Sequence, residues 1–104
     1  MRVEQSHHID ASEPDSNGKH RFRYEYDIFQ FTDGERVLVA RSYTDTSSEA
    51  HFLRIEVPGK DDESPADHLN DPLLKEAARH LRSLGKTDLR YLGYEGYLQL
   101  PPET

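Results

Sequence analysis

A small set of side chains between Tyr24 and His51 combines the types that recognise an anion or a carboxylate-bearing peptide. Arg41 supplies a planar cation, Tyr24, Tyr26 and Tyr43 supply hydroxyls and ring faces, and His51 supplies an imidazole. Their spacing places them on one face of a sheet. Phe22-Arg23-Tyr24-Glu25-Tyr26-Asp27-Ile28 alternates with period two, the pattern of a half-buried strand. Asp33-Gly34 is a strong hairpin signal, because both central residues of a type I′ turn need positive φ. A two-residue loop there pairs Thr32 with Glu35, Gln30 with Val37, Ile28 with Val39, Tyr26 with Arg41 and Tyr24 with Tyr43. A third strand from His51 to Val57 adds Val57, Ile55, Leu53 and His51 to the same face. That face is aliphatic near the turn and polar-aromatic at the far end, with Arg41 opposite the Tyr26 ring as a cation–π contact. A helix over the aliphatic part would leave a shallow ligand pocket at the Tyr24, Tyr26, Arg41, Tyr43 and His51 end.

The opposite face carries Phe29, Phe31, Leu38 and Phe52 among charged residues. Left uncovered, this apolar cluster is a partner surface, and a two-fold homodimer would use it twice. Covered, it lies beneath the last segment, Leu89 to Leu100. A third feature is the Lys75, Arg79, Arg82 and Lys86 series, whose spacing predicts a basic helix stripe facing solvent.

Other chemistries find no support in the residue pattern. His7-His8 with Asp10, and His68 with Asp67 and Asp71, lack the spacing of a metal site, and no EF-hand or H-E-x-x-H pattern occurs. Ser42, Ser47, Ser48, Asp45 and His51 are near one another, but no G-x-S-x-G elbow presents a nucleophile. Phosphate-binding Gly-rich loops are missing too. No catalytic residue, cofactor or metal is therefore assigned, and there is no basis for naming an enzyme.

The elements that must position these groups are legible along the chain. Residues 1–19 are polar, with only Val3, Ile9 and Ala11 as scattered apolar positions after Met1, a composition that predicts a flexible tail. Residues 20–104 then form a single α+β domain. Its three-stranded antiparallel meander is followed by an acidic loop from Lys60 to Asn70. Asp71-Pro72 opens a helix, with Asp71 as N-cap and Pro72 at the first helical position, and Gly85 stops it. Leu73, Leu74, Ala77, Ala78, Leu81 and Leu84 share one arc of that helix. Leu89 to Leu100 is one bent strand or a short hairpin turning at Tyr94-Glu95. The expected order is β-β-β-α-β, a two-layer sandwich.

Composition narrows the partners. Lys and Arg number 13 against 20 Asp and Glu, a formal charge of −7, which opposes binding to duplex nucleic acid or to anionic lipid. No apolar run is long enough to span a bilayer. The first residues carry no secretory pattern, and the chain has no cysteine, so a cytoplasmic address is expected. The leading expectation is a small acidic interaction module, an inhibitor, immunity-like protein or adaptor, whose charge suits a basic protein partner. The alternative is a small-ligand or anion-binding domain, enzymatic or not, with its pocket at the Tyr/Arg/His end.

Overall fold

The computed structural model describes residues 1–102. Six strands form one sheet in sequence order: β1 (Arg2–Ala11), β2 (Arg23–Thr32), β3 (Val37–Tyr43), β4 (Glu49–Glu56), β5 (Asp88–Gly93) and β6 (Gly96–Gln99). All neighbours are antiparallel except β4 and β5, which run parallel and are joined through α1 (Pro72–Ser83). The three-strand meander expected before the helix is thus corrected to four strands. The added one, β1, lies in the segment whose composition predicts a tail. It pairs along its whole length with β2, because ladder hydrogen bonds need backbone and not apolar side chains. The last segment is a hairpin, β5–β6, closed at Tyr94-Glu95. Among the described residues no helix is long and apolar enough to cross a membrane.

The β2–β3 turn sits one residue later than expected. Asp33 and Arg36 close it, with the Asp33 N–H donating to the Arg36 carbonyl at 3.4 Å. Within this turn Gly34 takes positive φ, at 99°, and among the described residues no non-glycine residue does. A type I′ turn at Asp33-Gly34 would force Asp33 into that region. Placing Gly34 at the first central position, as in type II′ geometry, avoids this. The Asp33 carboxylate then accepts the N–H groups of Glu35 and Arg36 at 2.9 and 2.8 Å. The register becomes Tyr26 with Tyr43, Ile28 with Arg41 and Thr32 with Val37. Since the pairing moves by two positions, every β2 and β3 side chain keeps its expected face.

β4 behaves differently. Its register with β3 shifts between Val39 and Ala40, so that Val39 meets Arg54 while Ala40 meets Phe52, and Leu53 is the extra residue. Ile55 is thereby moved to the face of Phe52 and Leu38, and Arg54 and Glu56 to the face of His51. The expected grouping of Ile55 with His51 is corrected accordingly.

The helix covers the face opposite to the one anticipated. Phe29, Phe31, Leu38, Ala40, Phe52, Ile55 and Leu89 pack beneath Leu73, Leu74, Ala77, Ala78 and Leu81. Three phenylalanines bury far more apolar area than the mixed Tyr, Val and Gln row behind them, so docking there is favoured. Leu84, expected in the arc, is the C-cap and is half exposed.

The helix start is tied to the β2–β3 turn. Asp71 caps α1 by accepting the Leu73 N–H at 2.9 Å, and its two oxygens accept Arg36 Nη1 and Nη2 at 2.6 and 3.0 Å. Arg36 also donates from Nε and Nη2 to Asp33, at 3.1 and 2.9 Å. Hydrogen bonds from the Arg36 and Glu35 backbone hold the Asp33 carboxyl down at about 2. The Arg36 side-chain bond lowers Asp71 in the same direction.

Candidate functional site

With α1 on the phenylalanine face, the other face of the sheet is open, and the anticipated Tyr24, Tyr26, Arg41, Tyr43 and His51 all lie on it. They belong to a longer run of rings than the sequence suggested. Phe22 stacks on Tyr24 at 5.7 Å between centroids, Tyr24 meets Tyr43 at 6.0 Å, Tyr43 meets Tyr26 edge-on at 5.7 Å, and Tyr26 stacks on His8 of β1 at 5.4 Å. Each separation lies within the range of attractive aromatic pairs.

Arg41 continues the run sideways. Its guanidinium carbon sits 4.9 Å from the centre of the Tyr43 ring, not over Tyr26 as the shorter register required. Its Nη2 donates to Tyr97 Oη at 3.3 Å, while its Nε is buried with no hydrogen-bond partner. Tyr97, from β6, lies over His51 at 4.4 Å. The outcome is a continuous aromatic and guanidinium band reaching from β1 to β6. Tyr24 and Tyr97 remain 53% and 42% exposed, so ring surface is available along it.

Carboxylates flank the band. The Tyr26 hydroxyl donates to Asp10 at 2.8 Å, and that bond holds the phenol above its ordinary range. Glu49 pairs with His51 Nε2 at 2.5 Å and with Arg90 at 3.6 Å. Asp88 accepts from Arg90 and from Gln99, at 3.0 and 2.8 Å, and the Arg90 bond holds it low.

Ser42 is not placed beside His51. His51 has its carboxylate in Glu49, but Ser42 lies on the other face, buried, donating to the Glu49 carbonyl at 2.6 Å. Lys86 Nζ reaches Ser42 Oγ at 2.9 Å and the Ser47 carbonyl at 2.8 Å. Lys86 is therefore a buried tie at the end of the core, not a member of the basic stripe, which α1 ends too early to carry. Arg82 is likewise engaged, donating to the Pro101 carbonyl at 3.4 Å.

The helix or last strand expected to wall a pocket around Arg41 does not rise over it: α1 sits on the reverse side, and the last segment extends the same sheet as β5 and β6. A depression of about 130 Å³ does occur beside the band, between Tyr24, Tyr43 and the Thr44-Asp45 turn. Phe29, Phe31, Leu38 and Phe52 have no exposed surface, so the partner face and homodimer contact expected of them are corrected: the cover is α1. No group of three or more His, Cys, Asp or Glu that could hold a metal ion is found among the described residues.

His8, Phe22 and Tyr97 are the band residues that sequence reading missed. His8 sits in an unrecognised strand, and Tyr97 in a hairpin whose position was open. Phe22 carried a signal, the same parity as Tyr24. No protein-family model, curated protein or solved structure matches the chain.

Proposed function

We propose that the chain is a non-enzymatic binding module that docks a protein partner on the open face of its sheet. The observation that carries this reading is the unbroken band of rings and Arg41 from His8 to Tyr97, on the face that α1 leaves bare. Tyr and Arg dominate the energetics of protein interfaces, since each offers a large contact area with a polar end. The charge of −7 favours a basic partner, as does the carboxylate margin of Asp10, Glu49 and Asp88. Inhibitor, immunity-like and adaptor roles all fit such a surface. A cytoplasmic setting agrees with the lack of cysteine.

The test compares the wild-type chain with Tyr24→Ser/Tyr97→Ser as immobilised bait in lysate at low and moderate salt. A basic protein held by the first and lost by the second supports the reading. Equal retention by both, or no retention by either, overturns it.

A second reading, a small anionic ligand at Arg41, is favoured by the unpartnered Arg41 Nε, because a buried donor without an acceptor calls for one. Titration with small carboxylates, followed by amide chemical shifts, would show perturbations centred on Arg41 and Tyr43. Their absence removes this reading.

A further inference from the structure

We propose that the free edge of β1 is a docking surface for a second copy of this chain, which adds its own β1 antiparallel and joins the two sheets edge to edge. The two edges of the sheet are unlike. β6 is 4 residues long and runs into Leu100-Pro101-Pro102, so it is short and closed by residues that resist pairing. β1 is 10 residues long, has no proline, and holds one unbroken register with β2. An edge of that length presents unpaired backbone groups ready to template another strand.

The hydrogen-bond phase says which groups face outward. Just past the β1–β2 ladder, the Ser12 N–H donates to the Phe22 carbonyl at 3.1 Å. In antiparallel pairs the bonded positions alternate, so Asp10, His8, Ser6, Glu4 and Arg2 also turn their backbone toward β2. Val3, Gln5, His7 and Ile9 then aim N–H and C=O at the free edge.

One self-pairing register satisfies those groups and matches the side chains. With Ser6 opposite Ser6 of the second copy, Gln5 bonds to His7 and Val3 to Ile9, all outward-facing positions. The intervening, closely spaced pairs set Arg2 against Asp10 and Glu4 against His8, on the open face. Each acidic side chain thus meets a basic or imidazole side chain, and each apolar one meets an apolar one. Ile9, 53% exposed in the single chain, gains an apolar neighbour in Val3. Sliding by one pairing step in one direction sets Glu4 against Asp10. Sliding in the other sets Arg2 against His8 and Glu4 against Ser6, so both oppositely charged pairs are lost. Arg2, now held by Glu4 at 2.9 Å in an exposed ion pair, would exchange one carboxylate for another.

Sedimentation velocity of the full chain up to high micromolar concentration tests this. The expected result is a species of twice the 12.0 kDa chain mass. Gln5→Pro removes an outward N–H and leaves the β1–β2 bonds intact, so it should weaken the dimer roughly tenfold or more, the bond being lost twice by symmetry. A single-chain mass at every concentration, or a dimer untouched by Gln5→Pro, overturns the proposal. Should circular dichroism show that Gln5→Pro disturbs the fold, charge exchange decides. Arg2→Asp should weaken the dimer and Arg2→Asp/Asp10→Arg restore it, and failure to restore overturns the proposed register and with it the pairing.

Discussion

Arg41 on β3 reaches Tyr97 on β6, Nη2 to Oη at 3.3 Å, although β4 and β5 lie between their strands. Only two long side chains lying along the sheet surface bridge that span, and His51 fills the space beneath Tyr97. The contact joins the meander to the C-terminal hairpin on the open face, and it makes Arg41 the natural anchor of any interface formed there.

Arg41→Met should therefore separate binding from folding. The unfolding free energy should change by about 1 kcal/mol or less, since the substitution keeps the stem and relieves the unpartnered Nε. Retention of a protein partner should fall roughly thirtyfold or more, the effect of losing an interface hot spot. Urea melts and the retention assay on the same variant give both quantities. Full retention would show that Arg41 does not anchor the contact.

The Arg36, Asp33 and Asp71 cluster predicts an acid-sensitive joint between the hairpin and the helix. Both carboxyls titrate below the ordinary 3.8, Asp33 at about 2. A group whose folded value is depressed contributes stability above its unfolded value and loses it as pH falls through the folded one. The contribution is thus complete above about pH 4 and drains away toward about pH 2. Arg36→Met should cost about 1–3 kcal/mol at neutral pH, reduced by partial solvent screening of Asp33. It should also reduce the slope of stability between those limits without abolishing it, because the backbone N–H groups of Arg36 and Glu35 still hold Asp33 low. Urea midpoints of both proteins at neutral pH and at two acidic values measure this.

The phenylalanine face carries the fold. Phe52→Ala or Phe29→Ala should cost about 3–5 kcal/mol, enough to unfold much of a chain this small. Phe52→Glu should abolish folding outright, not merely disrupt an assembly. Thermal melts by circular dichroism distinguish the two, since an assembly contact would leave the melt of the single chain unchanged.

Lys86 should behave as a structural residue despite its charge. Lys86→Ala leaves the Ser47 carbonyl without its donor and should cost about 1–3 kcal/mol, whereas Lys75→Ala on exposed helix surface should stay within about 0.5 kcal/mol. Equal small effects in a denaturant titration would show that the buried tie is dispensable.

What the residues determine by themselves is face and local punctuation. Alternation assigns Tyr24, Tyr26, Arg41 and Tyr43 to one side whatever the turn does, because a turn displaced by one residue moves pairing by two. Asp71-Pro72 and Gly85 bound α1 for reasons confined to one helical turn. The rest depends on contacts between distant segments. Which face the helix covers follows from the apolar area that Phe29, Phe31 and Phe52 present together, a property of paired strands and of no single one. The bulge at Leu53 arises only where β4 meets β3, and it alone sends Ile55 and His51 to opposite faces. β1 forms without an apolar pattern, since its ladder to β2 is built from backbone groups that every non-proline residue carries. Tyr97 reaches Arg41 because the parallel β5 and the hairpin after it return the chain to the open face, a path set by tertiary packing.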